Sequence, residues 1–372
     1  MTGETMARSE WAIARVLSFM LYYSGGLRLF KYLDRKCRSG PRCMVIFYHR
    51  IGWEPLAYHD VAVSSRRFRR QLEYMKSRGY HFLSLVEYHR YLRGEQQLPG
   101  DSIVITFDDG YRDNYTAAFP VLTELGVPAA VFLCTGPIET GTALWWDRVV
   151  EAVRSLRAAA DAKAPEYAEL PARIAGYLQE ALDGGVRSAS DAIARLIDEL
   201  KQYSTGERER ILSVIEPRAT SATGTGLMLT WDMIREMHRS GISFGAHSVT
   251  HPVFSQLTQD EARHELSQSK RCIEERLGED VTVFAYPYGK DGYYNNASID
   301  AVRECGFRWA YTTENGFNLP DTGPYVLRRN GIREIPQYLL AARLSGFFEH
   351  PLFRRLRKLI EHRRTGPADV PA

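Results

Sequence analysis

From residue 43 onward, short apolar runs alternate with segments of helical spacing, and this alternation restricts the fold more than any other feature of the chain. CMVIFYHR (43–50) reads as a buried strand ending in His49 and Arg50, and FRRQLEYMKSRG (68–79) as a helix with a glycine stop. VITF (104–107) is the next strand, residues 115–125 a helix ended by Gly126, and PAAVFL (128–133) a further buried strand. The pattern resumes at TWDMIREMHRSG (230–241), a helix with Thr230 as N-cap and Gly241 as stop. Strands at 242–245, 281–285 and 309–312 then alternate with helices at 260–277 and 298–306. This order predicts a mostly parallel sheet with crossover helices, in barrel or open form, and no solenoid repeat interrupts it.

Two regions depart from that texture. From about 144 to 226 the chain is rich in Ala, Glu, Arg and Leu with helical periodicity, which predicts a helical insertion opened by Trp145, Trp146 and Asp147. Those two tryptophans are expected to pack among the inserted helices, with a sugar-stacking edge as the alternative. The ends are apolar and basic: WAIARVLSFMLYY (11–23) and LRLFKYL (27–33) at one, YLLAARLSGFF (338–348) and FRRLRKLIEHRR (353–364) at the other. Each run is shorter than the ~20 residues of a membrane span. Two such elements together predict peripheral attachment to an anionic membrane surface, the alternative being helices that pack on the barrel. With no basic start followed by an A-x-A site, and five cysteines lacking any C-x-x-C pair, the expectation is a cytoplasmic protein at the inner face of the membrane. A net charge of +3 over 372 residues points to no nucleic-acid partner.

The strand at 104–107 ends in adjacent carboxylates, Asp108 and Asp109. Crowded like charges raise each other's pKa unless a cation intervenes. In FGAHSVTHP (244–252), His247 and His251 stand four apart, so a helical turn or a tight loop can offer both imidazoles to one cation. Taken singly, the histidine spacing also suits a structural loop and the aspartates a turn or helix cap; Asp113 likewise suits a loop anchor or an N-cap. In a parallel sheet, however, the C-terminal strand ends converge on one face. His49, Asp108, Asp109, His247 and the loop 286–289 are therefore predicted to meet there. Two histidines and one carboxylate leave positions open on a divalent cation, whose bound water can reach a pKa of about 7. The second carboxylate can then take the water's proton.

TFDDG (106–110), HSVTHP (247–252) and FAYPYG (284–289) resemble, in order, the first three motifs of the NodB-like polysaccharide deacetylases, carbohydrate esterase family 4. YHR (48–50), GVPAAVF (126–132) and LTWD (229–232) add softer matches. The resemblance implies an α/β fold, a distorted (β/α)7 barrel over residues 42–337, with the helical insertion and with amphipathic segments at 1–41 and 338–372. It implies a metal-dependent hydrolase that removes N-acetyl groups from an N-acetylhexosamine-containing glycan or lipid-linked saccharide. Carried over by residue, Asp108 matches the general base, and Asp109, His247 and His251 the ligands of a divalent metal, commonly Zn2+, with Co2+, Ni2+ or Mn2+ as alternatives. Tyr288 stands where a backbone N–H meets the oxyanion of the tetrahedral intermediate. The chain departs from the family at Ala285, where an arginine is usual, and has no Leu-x-His motif; its nearest stretch is VLRRNGI (326–332). His49 is therefore assigned the proton for the leaving amine, a buried histidine bonded to backbone being the alternative. Other readings are a deformylase or related C–N hydrolase on a lipid-linked amino sugar, and a degenerate glycan-binding protein. The motifs do not speak to oligomeric state.

Overall fold

The computed structural model describes residues 8–38, 40–52, 62–158, 169–216, 226–350 and 353. Its frame is one sheet whose strands all pair in parallel: β1 (Cys43–Tyr48), β2 (Ser102–Phe107), β3 (Ala129–Leu133), β4 (Ser243–Ala246), β5 (Val283–Ala285), β6 (Trp309–Tyr311) and β7 (Asn330–Gly331). The spatial order is β7-β1-β2-β3-β4-β5-β6, with the short strand His81–Phe82 beside β2. β1 and β2 pair in register from Cys43 against Ser102 to Tyr48 against Phe107. A parallel bridge between Tyr311 and Leu327 lays the approach to β7 along β6, so the sheet curls toward closure. The fold is a NodB-like (β/α) barrel, the class the motifs imply.

The strands carry continuous apolar runs because both their faces are covered. Every residue of β2 and of β3 is buried. β4 passes so close to its neighbours that only glycine fits at 245, where a Cβ would lie 2.6 Å from Val283 and 2.7 Å from Phe132. The helix expected at 115–125 begins instead as a π-helical turn, Asn114–Ala118, before the α-helix Phe119–Leu125. Pro120 has no N–H for an i→i−4 bond, and the change of pitch puts it in the first turn of the new helix, where none is needed.

The connection from β3 to β4 holds the inserted helices Trp145–Ala158, Ala172–Asp183, Val186–Leu200 and Thr205–Ile215. Their apolar faces, including Val149, Ile174, Leu178, Leu196 and Leu212, belong to the same buried cluster as the barrel strands. The two N-terminal helices, Arg8–Tyr23 and Gly26–Cys37, pack against Gln337–Leu344 through Leu27, Ala341 and Ala342 and through the Phe19–Tyr338 ring contact. Asp101 ties down the second of them by accepting from Arg38 at 2.5 Å, with Lys31 and Arg35 at 3.3 Å. Val16, Met20, Tyr23, Leu29, Tyr32 and Leu33 on these helices, and Phe19 at the edge of the contact, are half exposed or more. Packing on the barrel and an open apolar face therefore coexist. Among the described residues no helix is long and apolar enough to cross a membrane. The basic stretch 353–364 lies, beyond Phe353, outside the described residues, and the five cysteines are free thiols.

Candidate active site

Four non-glycine residues among those described have left-handed backbone: Asp109 (φ 74°), Ser248 (φ 69°), His251 (φ 58°) and Tyr288 (φ 61°). All follow the C-terminal ends of β2, β4 and β5, in the three loops that carry the sequence motifs. Such conformations cost on the order of 1–3 kcal/mol each and persist only where the surroundings impose them. Here they turn successive side chains of three loops toward one point.

At that point Asp109 Oδ1 lies 3.4 Å from His247 Nε2 and 3.4 Å from His251 Nε2, and all three side chains are almost wholly buried. The backbone carbonyl of Ala285 receives His247 Nδ1 at 2.6 Å. A carbonyl only accepts, so Nδ1 carries its proton and Nε2 is the ring nitrogen turned to the carboxylate. At 3.4 Å from both rings, Asp109 Oδ1 has no hydrogen bond of ordinary geometry among the described residues. Burial pushes the Asp109 carboxyl upward, but the histidines around it prevail and hold it at about 2. Burial carries His251 well below the usual imidazole range. A carboxylate and two imidazoles within 4.8 Å of one another form a donor set that fits a divalent cation of borderline softness.

Asp108 has a different partner. Arg329 donates through Nη1 to Oδ1 at 2.6 Å and through Nη2 to Oδ2 at 2.8 Å, with both side chains shielded from solvent. Arg329 is itself fixed by donating Nε to the Thr312 carbonyl at 3.0 Å. Sequence reasoning missed this residue. It lies in the VLRRNGI stretch scanned for a histidine, and only the β7–β1 pairing brings it across the barrel.

The histidines occupy a tight loop. Glu265, from the helix Gln259–Leu277, accepts from the N–H groups of Val249 (2.7 Å) and Thr250 (2.9 Å) and from the Thr250 hydroxyl (2.7 Å), while Ser248 Oγ accepts from His251 N–H at 3.0 Å. In the third loop the Tyr288 carbonyl accepts from Thr313 Oγ1 at 2.6 Å, and the Tyr288 ring stands edge-on to His251 at 4.7 Å. His49 is half-buried, and its charge acts on both Asp109 and His251. Its carbonyl accepts from Asn114 Nδ2 at 2.7 Å, and among the described residues its ring has no backbone partner. Asp113 is a loop anchor and not a side-chain cap, accepting from Arg50 Nε at 2.9 Å and from Ile51 N–H at 3.0 Å.

The first turn of the insertion walls the site. Trp146 donates to the Tyr111 hydroxyl at 2.8 Å, which donates to Asp147 Oδ2 at 2.8 Å, and the Trp146 ring meets His251 at 4.6 Å. Burial lifts the Asp147 carboxyl to about 7 against the pull of Arg50 and the Tyr111 hydrogen bond. Trp145 and Trp146 are buried, as the sequence leads one to expect, but one of them contacts a candidate ligand.

A family model described as polysaccharide deacetylase matches residues 95–162 and 187–310, just over half of the chain. The Bacillus subtilis protein YxkH, named as a polysaccharide deacetylase, is 21% identical over 294 residues, covering 79% of this chain and 72% of that protein. The poly-beta-1,6-N-acetyl-D-glucosamine N-deacetylase of Escherichia coli K12 is 31% identical over 86 residues, which are 23% of this chain and 13% of that one. Among solved structures, the Streptococcus pyogenes deacetylase PplD in complex with acetate superposes with a TM-score of 0.56 at 20% identity, over 82% of this chain and 99% of that chain. IcaB from Ammonifex degensii gives 0.54 at 21%, over 82% and 98%. Those two likenesses reach the fold alone, whereas the family model runs through β2 to β6 and all three loops just described: this chain belongs to the polysaccharide deacetylase family.

Proposed function

We propose that the chain is a metal-dependent N-deacetylase of an N-acetylhexosamine-containing glycan, free or lipid-linked. The observation that carries the reading is the meeting of Asp109 Oδ1, His247 Nε2 and His251 Nε2 within 4.8 Å of one another, beside a second carboxylate that an arginine already balances. Asp109, His247 and His251 would hold a divalent cation, Zn2+ foremost, with Co2+, Ni2+ or Mn2+ able to substitute. When bound, such an ion supplies Lewis acidity, making water a usable nucleophile near neutral pH and polarising the acyl oxygen.

The protein's own groups do the rest. Asp108, its plane fixed by Arg329, takes the proton of the attacking water as oxygen bonds to the acyl carbon. The Tyr288 N–H, which has no acceptor among the described residues, donates to the oxygen on which charge develops. As the C–N bond breaks, His49 gives its proton to the departing amine, and acetate remains. Intact Asp108, Asp109, His247 and His251 argue against a degenerate binding protein. The test measures metal content together with acetate release from N-acetylglucosamine oligomers and from lipid-linked N-acetylated sugar, for wild type and Asp108→Asn. Bound metal and acetate release that falls at least 100-fold in the variant support the reading; a protein that takes up no divalent metal overturns it. An unchanged rate in His49→Ala would remove only the acid role.

The exposed side chains of the N-terminal helices support a second element of the proposal, peripheral attachment at the inner face of the membrane, where a lipid-linked saccharide is within reach. Flotation with anionic vesicles, lost in a Phe19→Asp/Met20→Asp double variant, tests it. A wild-type chain that stays with the unbound fraction counts against it.

A further inference from the structure

Arg208, in the inserted helix Thr205–Ile215, is 2% exposed and forms no ion pair among the described residues. Among the described residues its one hydrogen bond is Nη2 to Thr205 Oγ1 at 3.4 Å, and its Nε has no partner there. The nearby carboxylates are engaged elsewhere: Arg148 donates to Glu209 at 2.7 Å and to Glu216 at 2.7 Å. Arg208 lies over the Trp145 ring with Cζ 4.6 Å from its centroid. Two more buried polar atoms accompany it, the Trp145 indole Nε1 and the Tyr288 hydroxyl: neither has a hydrogen bond of ordinary geometry among the described residues, the indole is turned toward the phenol oxygen, and the Arg208 charge acts on that hydroxyl. The Tyr288 ring also touches His251 at 4.7 Å, and Trp145 stacks edge-on against Trp146, the His251 neighbour, at 5.4 Å.

Guanidinium and indole N–H groups only donate, and the tyrosine hydroxyl can. A buried cation left without a counter-charge is strongly unfavourable, so a fold that retains one is organised around an acceptor it does not itself supply. We propose that Arg208, the Trp145 indole N–H and the Tyr288 hydroxyl form a subsite for an oxyanion carried by the substrate, a carboxylate or a phosphate on the saccharide. Its place beside the reacting atoms rests on the deacetylase reading; its chemistry does not. The planar guanidinium suits two oxygens of either group, and the indole and phenol supply donors beside it. The insertion thereby selects an acidic saccharide where the barrel alone would recognise the acyl amide.

The experiment titrates the metal-loaded full chain with inorganic phosphate and, separately, with glucuronate by calorimetry, in wild type, Arg208→Gln, Arg208→Lys and Trp145→Phe. Phosphate can also ligate the metal, so the reading is the difference between proteins of equal metal content and equal circular dichroism. Affinity should fall about tenfold or more in Arg208→Gln, recover in part in Arg208→Lys, and fall severalfold in Trp145→Phe, which keeps the ring and removes one donor. If Arg208→Gln fails to fold, Trp145→Phe carries the test. Loss confined to phosphate names a sugar phosphate as the source, and loss confined to glucuronate a uronate. Equal affinities in wild type and in the folded variants, or no binding of either anion, overturn the proposal. Arg208-dependent binding in a chain that releases no acetate would leave the subsite standing and remove the deacetylase reading.

Discussion

The barrel and its helical insertion each bury an arginine, and they treat it in opposite ways. Both lie over aromatic rings, but Arg329 meets Asp108 with two parallel hydrogen bonds, whereas Arg208 forms no ion pair among the described residues. The same contrast holds for buried acids. Glu265, under the histidine loop, accepts three hydrogen bonds, while Asp147 in the first inserted helix is lifted to about 7 by burial. In the strand-end layer Asp108 and Glu265 have their partners within the fold, while buried Asp109 Oδ1 has none among the described residues and on the proposed function is met by a cation. The insertion presents the opposite case, a buried cation without a counter-ion.

The sharpest way to break this contrast is to remove both charges at constant bulk. Arg329→Met leaves Asp108 buried and unpaired and should lower stability by about 3–5 kcal/mol. Arg208→Met removes a buried charge that has no partner and should be neutral or stabilising by about 1–3 kcal/mol. Paired chemical denaturation curves measure both, and losses of equal size would erase the distinction. Next in size is the metal: at a free concentration 100 to 1,000 times its Kd it should add about 3–4 kcal/mol, seen as a lower melting temperature after chelation. In Asp109→Asn the melt should be indifferent to chelator.

The acids sharpen the comparison further. The folded-state pKa of Asp147, about 7, lies above its ordinary 3.8, so the folded protein holds this proton more tightly than the unfolded chain. Stability from this group is then greatest below about pH 4, declines as pH rises from about 4 to about 7, and is flat above. Asp147→Asn keeps an acceptor for Tyr111 and should remove that decline, worth about 2–4 kcal/mol between pH 4 and 8. A pH series of melts on both proteins reads it. Smallest is Glu265→Gln, whose amide cannot accept at all three donors. A loss of about 1–2 kcal/mol is expected, with metal affinity reduced roughly tenfold through the loosened His247–His251 loop. Titration calorimetry with Zn2+ checks the second figure.

Much of the barrel and of the candidate metal site was legible in the chain because those signals are local. Asp108 and Asp109 end an apolar run, His247 and His251 share one loop, and strand ends in a parallel sheet face the same way. Arg329 was not legible for the opposite reason: its partner is 221 positions away, and the strand that delivers it, Asn330–Gly331, is too short to show alternation. Glu265 hides in a helix otherwise rich in exposed charge, where nothing in the pattern tells a buried acid from a solvated one. Trp146 could be read as buried, but not as the neighbour of a histidine, because that depends on how the insertion folds back over the barrel mouth.

The lateness of Arg329 bears on how the protein is made. Asp108 is translated long before its counter-ion, and until β7 closes against β1 the proposed base lies at the end of a strand with no arginine beside it. Barrel closure and the charge balance of the site are thus a single event on the folding pathway, set by the slow search for a distant contact. An incomplete nascent chain would display the three motif loops with Asp108 still lacking its arginine.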